Sequence, residues 1–336
     1  MGRFHRALNH RAVRLAGPIL GLACSAVFIS RLDFHEVGSA FGSLAPVWMV
    51  PVLLFGCVNL WLRAVRWGVL LAPAAPLPTA QLLGVGISAA LAGLSLPARG
   101  GDAVKVFLAI RLPGVKLTDV AAAELLERIV DGLIFGGFIS VAALAGGVGG
   151  WPLTLGLGAV AVYLPTLIAI PIASWYLGSR AAADEPAGPA WHPRRLLDHA
   201  VGAAHRRGPR LLVRATQLSV LAWAAEAVSY YCLLVAFGWL APPTLPFAAV
   251  GVANFAFAVP GAPAGVGTFH VPVSSLLVDS FGAEPGLAAA YAVVLHLAVL
   301  APVPLVWLLL AARRRWQAVT VRTQAVAVRS VHVRVP

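Results

Sequence analysis

Charged side chains are scarce in this sequence. Asp, Glu, Lys and Arg make up 11% of the 336 residues, against about 25% in soluble proteins. A soluble protein of this length could not cover its surface with so few, and 60% of the chain is hydrophobic. Cysteine is nearly absent as well. Cys24, Cys57 and Cys232 each lie inside an apolar run at no metal-ligand spacing, so they read as small buried hydrophobes rather than a disulfide framework. There is no Asn-x-Ser/Thr sequon. What recurs instead is apolar runs longer than about 18 residues, the length read as a membrane span. The expected fold class is an all-α polytopic integral membrane protein. That excludes cytosolic enzymes, secreted scaffolds and soluble DNA-binding domains. The net charge of +12 would suggest nucleic acid in a soluble protein; here it reads as orientation signal in cytoplasmic loops. No nucleic-acid partner and no cofactor are expected.

A basic N-terminus (residues 1–14, with Arg3, Arg6, Arg11 and Arg14) precedes an apolar run from Leu15 to Ser30. A cleaved signal peptide competes with a retained first helix, and the spans that follow at once favour retention. An amphipathic stretch from Arg31 to Leu44 leads to a span from Ala45 to Leu62, closed by Arg63 and Arg66-Trp67 as a basic and aromatic interfacial anchor. The stretch Ala80 to Leu112 is interrupted at Pro97-Ala98-Arg99-Gly100-Gly101-Asp102. Spans Val120–Ala145 and Trp151–Leu177 flank a glycine-rich turn, Gly146 to Gly150. The loop 178–214 holds seven arginines and no plausible core. Thr216 to Leu240 is a further span. Leu245 to Phe281 is interrupted at Pro260-Gly261-Ala262-Pro263-Ala264-Gly265-Val266-Gly267, and the last span runs from Gly286 to Ala312. The tail, 313–336, is basic and reads as disordered near anionic lipid.

If each interrupted stretch enters and leaves on one side as a re-entrant hairpin, six spans result and both termini are cytoplasmic. Inside segments then hold 21 of the 25 Lys/Arg, as the positive-inside rule requires. Two full double crossings preserve parity, so eight spans stay open. The breaks share a Pro-Ala-x-x-Gly pattern, Pro97 to Gly101 and Pro263 to Gly267. Opposed broken elements in two halves are the sequence pointer to a transporter's binding site.

Ionisable side chains at membrane depth cost several kcal/mol unless paired or hydrated. Arg99, Asp102 and Lys105 sit on the first hairpin; Glu124, Glu127, Arg128 and Asp131 fall in the next span. Helical spacing pairs Glu124 with Arg128, and sets Glu127 against Asp131 one turn on. Two carboxylates so placed need a cation between them, which Arg99 or Lys105 could supply. The cluster reads either as a folding clamp, as a lipid-headgroup site, or as shallow interfacial charge. Arg99, between a proline and two glycines, is suited to grip phosphate. Glu226, near Tyr230 and Tyr231, is a neutral hydrogen-bonded carboxyl or a proton-coupling group. His270 and His296 read as helix-packing side chains. Gly132 and Gly136 form a close helix contact.

Four segments in this order resemble the flippase-like family typified by the transmembrane region of lysylphosphatidylglycerol synthases. They are Leu62-Arg63-Ala64-Val65-Arg66-Trp67, Leu96 to Lys105, Glu127-Arg128-Ile129-Val130-Asp131, and Pro263 to Gly267. The likeness covers residues 10–312, within an expected membrane domain of 15–312. Family members usually carry Glu at the place of Asp102, and an acidic residue where this chain has Thr268-Phe269-His270. The resemblance implies movement of a phospholipid or lipid-linked intermediate between leaflets of the cytoplasmic membrane. It marks Arg99, Asp102, Glu127, Arg128 and Asp131 as the matched polar residues, with Pro97, Gly100, Gly101, Pro263, Gly265 and Gly267 shaping the hairpins. It implies no lipid aminoacylation, because in bifunctional members a soluble synthase domain follows, and this chain is read as a stand-alone member. The expected partners are membrane lipid and anionic headgroups at the basic loops. A membrane-embedded transferase and a non-transporting scaffold are the rival classes.

Overall fold

The computed structural model describes residues 19–71, 77–96, 100–181, 209–259 and 263–313. Among the described residues every regular element is helical. α1 is Ile19–Ser30, α2 is Phe34–Gly42, and α3 is Met49–Leu71, entered through a 3-10 turn at Pro46–Trp48. α4 (Thr79–Ser95) and α5 (Gly100–Ala109) form the first interrupted stretch. α6 is Leu117–Ala145, α7 is Trp151–Ala181 and α8 is Pro209–Ala236. α9 (Leu245–Ala258), a turn at Pro263–Gly265, and α10 (His270–Ser275) running into a π turn (Leu276–Ser280) form the second. α11 is Pro285–Leu300, and the helix continues to Arg313 past Pro302. Five helices, α3, α6, α7, α8 and α11 with their extensions, are long and apolar enough to cross a membrane. The protein is an all-α multi-pass membrane protein. The N-terminus, most of the 178–214 loop and the tail beyond Arg313 lie outside the described residues; the two ends of that loop belong to α7 and α8.

Side-chain contacts give the helix directions. Along α3 and α8, Ala45 N–H donates to the Ala236 carbonyl at 2.8 Å, Ser229 to that of Val52 at 2.9 Å, and Asn59 to that of Ala222 at 2.8 Å. The two helices are therefore antiparallel. α6 and α7 are antiparallel too, because Gly132 lies under the Tyr163 ring and Gly136 against Ala159 and Gly156. Small residues let these backbones meet where apolar side chains gain little over lipid. The α11 helix follows the direction of α3: the Tyr291 hydroxyl donates to the Tyr230 carbonyl, beside the start of α3, and Pro302 further along meets Gly56. One end of the bundle thus gathers the C-terminus of α3 and the N-termini of α6 and α8, with Arg111, Lys116, Arg210 and Arg214. We call it the basic end.

Both interrupted stretches turn back. α4 starts at the basic end, where Leu82 meets Gly68, and α5 returns along it with Gly101 against Ala89 and Gly93. α9 starts at the opposite end and descends past Ile139 and Phe135 at Gly251; the chain returns to Phe281, beside Gly146. The first helix of each has 17 and 14 residues, about 26 and 21 Å at 1.5 Å per residue, short of the roughly 30 Å hydrocarbon core. Each interrupted stretch is thus a helical hairpin with a short first arm. The two hairpins enter from opposite ends and meet, for α4 packs against the Pro263–Gly265 turn. Each first helix stops the same way. Leu96 (φ −96°, ψ 129°) and Val259 (φ −69°, ψ 127°) are extended, and each directly precedes a proline, Pro97 or Pro260, which disfavours the helical region for the residue before it.

The larger apolar core joins α6, α8, α9 and α11 around Ile139, Leu233, Phe269 and Tyr291. A second cluster, under Trp67, Leu70 and Leu126, packs the first hairpin against α3 and α6. Cys232 is buried, and Cys24 and Cys57 are half-buried free thiols.

Candidate functional site

Glu124, Glu127 and Asp131 stand at i, i+3 and i+7 on α6 and so share one face. The helix presents that face to α3 and α5. Arg66 of α3 lies between the carboxylates and is fully buried. Its Nη1 donates to Asp131 Oδ1 at 2.5 Å and to Ser219 Oγ at 2.7 Å; its Nη2 donates to Asp131 Oδ2 at 3.1 Å and also to Glu127 Oε1. Lys105 of α5 bridges the remaining oxygens, 2.6 Å from Glu124 Oε1 and 3.2 Å from Glu127 Oε2, and lies 4.8 Å from the centre of the Trp67 ring. Two indoles complete the shell. Trp67 Nε1 donates to Glu124 at 3.1 Å and Trp223 Nε1 to Asp131 at 2.7 Å.

These contacts correct two expectations. Arg66 and Trp67 are not an interfacial anchor, since α3 continues nine residues past Leu62, to Leu71, and carries Arg66 into the core. Arg128 pairs neither with Glu124 nor with Asp131. It is one residue step, about 100°, off the acidic face and meets Asp102 of α5 at 2.8 Å, with both side chains about half exposed (49% and 48%). Lys105 supplies part of the cation expected between the carboxylates, and Arg66 the rest. Arg99, Pro97 and the remainder of the break between α4 and α5 lie outside the described residues.

Beside this network lies a cavity of about 560 Å3, lined from α3 to α9 and α11. Lys105, Glu124, Glu127, Arg128 and Asp131 border it, as do Arg63 and Asn59 of α3. Glu226 lines it from α8, where it accepts from the Tyr230 hydroxyl at 2.9 Å and from Asn254 Nδ2 at 3.3 Å; Tyr231 makes no bond to it among the described residues. Sequence reading missed Asn59, Asn254 and the cavity role of Arg63, polar residues set among apolar ones on α3 and α9.

Gly100 and Gly101 open α5, and Gly101 lets α4 approach. Pro263 and Gly265 form the second turn, within which Ala264 adopts φ 57° and its carbonyl accepts from His296 Nε2 at 2.7 Å. Gly267 (φ 85°) lies where any Cβ would strike the Gly21 carbonyl and Ser25 of α1. His270 and His296 pack edge to face, ring centroids 4.8 Å apart, as helix-packing residues. No cluster of metal-ligating side chains occurs among the described residues.

The chain is similar to a protein named Glycosyltransferase AglD from Haloferax volcanii, with 25% identity over 328 residues. The match takes in 86% of this chain and 52% of the relative, so the chain spans about half the length of the curated relative it matches. Residues 15–318 match the family described as the lysylphosphatidylglycerol synthase TM region, and the chain belongs to that family.

Proposed function

We propose that this protein moves a phospholipid or lipid-linked intermediate between the leaflets of the cytoplasmic membrane. Its family ties it to membrane lipid, and the transbilayer step is our reading. The observation that supports it is the cavity itself: a charged and hydrogen-bonding space bordered by the first helix of each of two broken hairpins that start from opposite ends. Non-helical backbone at membrane depth is tolerated only where it is buried in protein or lines a polar cavity, and a headgroup crossing the bilayer needs such a space. Lys105, Glu127, Arg128, Asp131 and Glu226 line it, Asp102 holds Arg128, and Arg99 is carried into this reading from the sequence alone. The basic end faces the cytoplasm in this reading, placing both termini there.

A transferase acting on a lipid phosphate is the second reading, prompted by the printed name of the relative. Against it, Glu124, Glu127 and Asp131 are each held by a cation, which leaves none of them free as a base. Reconstitution into liposomes separates the two. Faster exchange of a fluorescent phospholipid between leaflets, without a change in its chemistry, is the expected result. A new lipid product without exchange would replace transport by catalysis.

A further inference from the structure

The charges around the cavity are not all committed to one another. Arg66 and Lys105 hold Glu124, Glu127 and Asp131, and Arg128 holds Asp102. Two groups, Arg63 and Glu226, are in no ion pair among the described residues. Arg63 lines the cavity, and its side chain makes no ion pair or hydrogen bond among the described residues. Its contact is the face of Trp223, whose ring centre is 5.1 Å from the guanidinium carbon. Trp223 is in turn fixed by its bond to Asp131, so the guanidinium is placed by a ring that cannot swing away. The second group is Glu226, whose Oε1 takes both Tyr230 and Asn254. Its Oε2 has no donor among the described residues.

Both groups face the cavity with hydrogen-bonding capacity that a polar occupant can fill. Trp223 and Glu226 stand three residues apart on α8, about one helical turn. Arg63, held by Trp223, and Glu226 therefore border the same part of the cavity.

We infer that Arg63 and Glu226 form a two-point receptor for the phosphate of a lipid whose headgroup donates hydrogen bonds. The guanidinium takes phosphate oxygens through its planar fork. Glu226 Oε2 accepts from a hydroxyl or ammonium on the same headgroup. A trimethylammonium group has no N–H and leaves Glu226 unsatisfied, so the receptor discriminates between phospholipids by their donors and not by charge alone. The inference rests on the reading that the cavity receives lipid, but it concerns binding and is tested without transport.

The full chain in detergent is titrated with short-chain phosphatidylethanolamine, whose ammonium donates, with short-chain phosphatidylcholine, which has the same net charge and no donor, and with inorganic phosphate. Thermal stability is read at each concentration. Wild-type protein is expected to bind the ethanolamine lipid more tightly than the choline lipid. Arg63→Gln should weaken both by about tenfold or more, the scale of a lost charge-assisted bond. Glu226→Leu should abolish the preference and keep the phosphate-dependent part. A folded Arg63→Gln protein that binds both lipids with wild-type affinity overturns the proposal. Equal stabilisation by inorganic phosphate overturns the assignment to lipid, and an absent preference in the wild type overturns the role of Glu226. Should Arg63→Gln fail to fold, Arg63→Lys carries the test: weaker lipid binding supports the fork, and unchanged binding refutes it. Binding with this pattern in a protein that exchanges no lipid between leaflets would leave the receptor standing and remove the transport reading alone.

Discussion

Arg66 and Asp131 face each other as two forks. Nη1 meets Oδ1 at 2.5 Å and Nη2 meets Oδ2 at 3.1 Å, from helices α3 and α6, with the arginine fully buried. Removing one partner of such a pair strands a charge in a low dielectric. Arg66→Ala is expected to destabilise the protein by about 3–5 kcal/mol, and Arg66→Lys to restore only part of that, because an ammonium with three donors cannot reproduce the fork that serves four oxygens. Thermal unfolding in detergent checks both. An Arg66→Ala melting temperature equal to the wild type would show that the carboxylates are hydrated rather than clamped.

Arg128 should behave differently despite its place in the same helix. Its pair with Asp102 is half exposed, and exposed pairs contribute about 0–1 kcal/mol. Arg128→Ala is therefore expected to shift stability by less than about 1 kcal/mol, and to respond to added salt where Arg66→Ala does not. A loss as large as that of Arg66→Ala would mean that the first hairpin depends on this bridge for its position.

The α6–α7 contact makes a steric prediction. A Cβ on Gly136 would sit 2.8 Å from Ala159 Cβ and 3.0 Å from the Gly156 carbonyl. Gly136→Leu should cost about 1–3 kcal/mol by overpacking, whereas Gly137→Leu, with nothing within 4 Å, should be tolerated. Paired thermal melts of the two variants decide it, and equal effects would argue against close packing of α7.

Topology is testable directly. A reporter fused after Arg210 should read cytoplasmic, and one placed between Gly146 and Gly150 external. The opposite pair of readings would invert the orientation, while two readings on one side would mean that α7 does not cross.

Much of this was legible in the sequence, and the parts that were not share a physical cause. The apolar runs, both breaks and the acidic face of α6 follow from composition and from spacing within a single helix. The identity of the cation did not, because hydropathy ends the second span at the first arginine it meets. Arg66 is buried only because Glu127 and Asp131, 61 and 65 residues further along, meet it, and no local window contains that fact. Spacing alone also misassigned Arg128. An i,i+4 interval allows contact with Glu124, but the competing Lys105 occupies that carboxylate from another helix. A usable signal was the surplus of carboxylates over cations within α6, which required a donor from elsewhere.

The meeting of two short hairpins also bears on the membrane voltage. A potential drops across whatever layer keeps water and ions apart, and moving one elementary charge through all of it exchanges about 2.3 kcal/mol per 100 mV. In a bundle of full spans that layer is the whole hydrocarbon thickness. Here α4 reaches the Pro263–Gly265 turn from the other side, so water following each hairpin inward would leave a thin septum between them. An anionic headgroup stepping across that septum would sense most of the field in a displacement of a few ångströms, which makes its transfer rate electrically steerable.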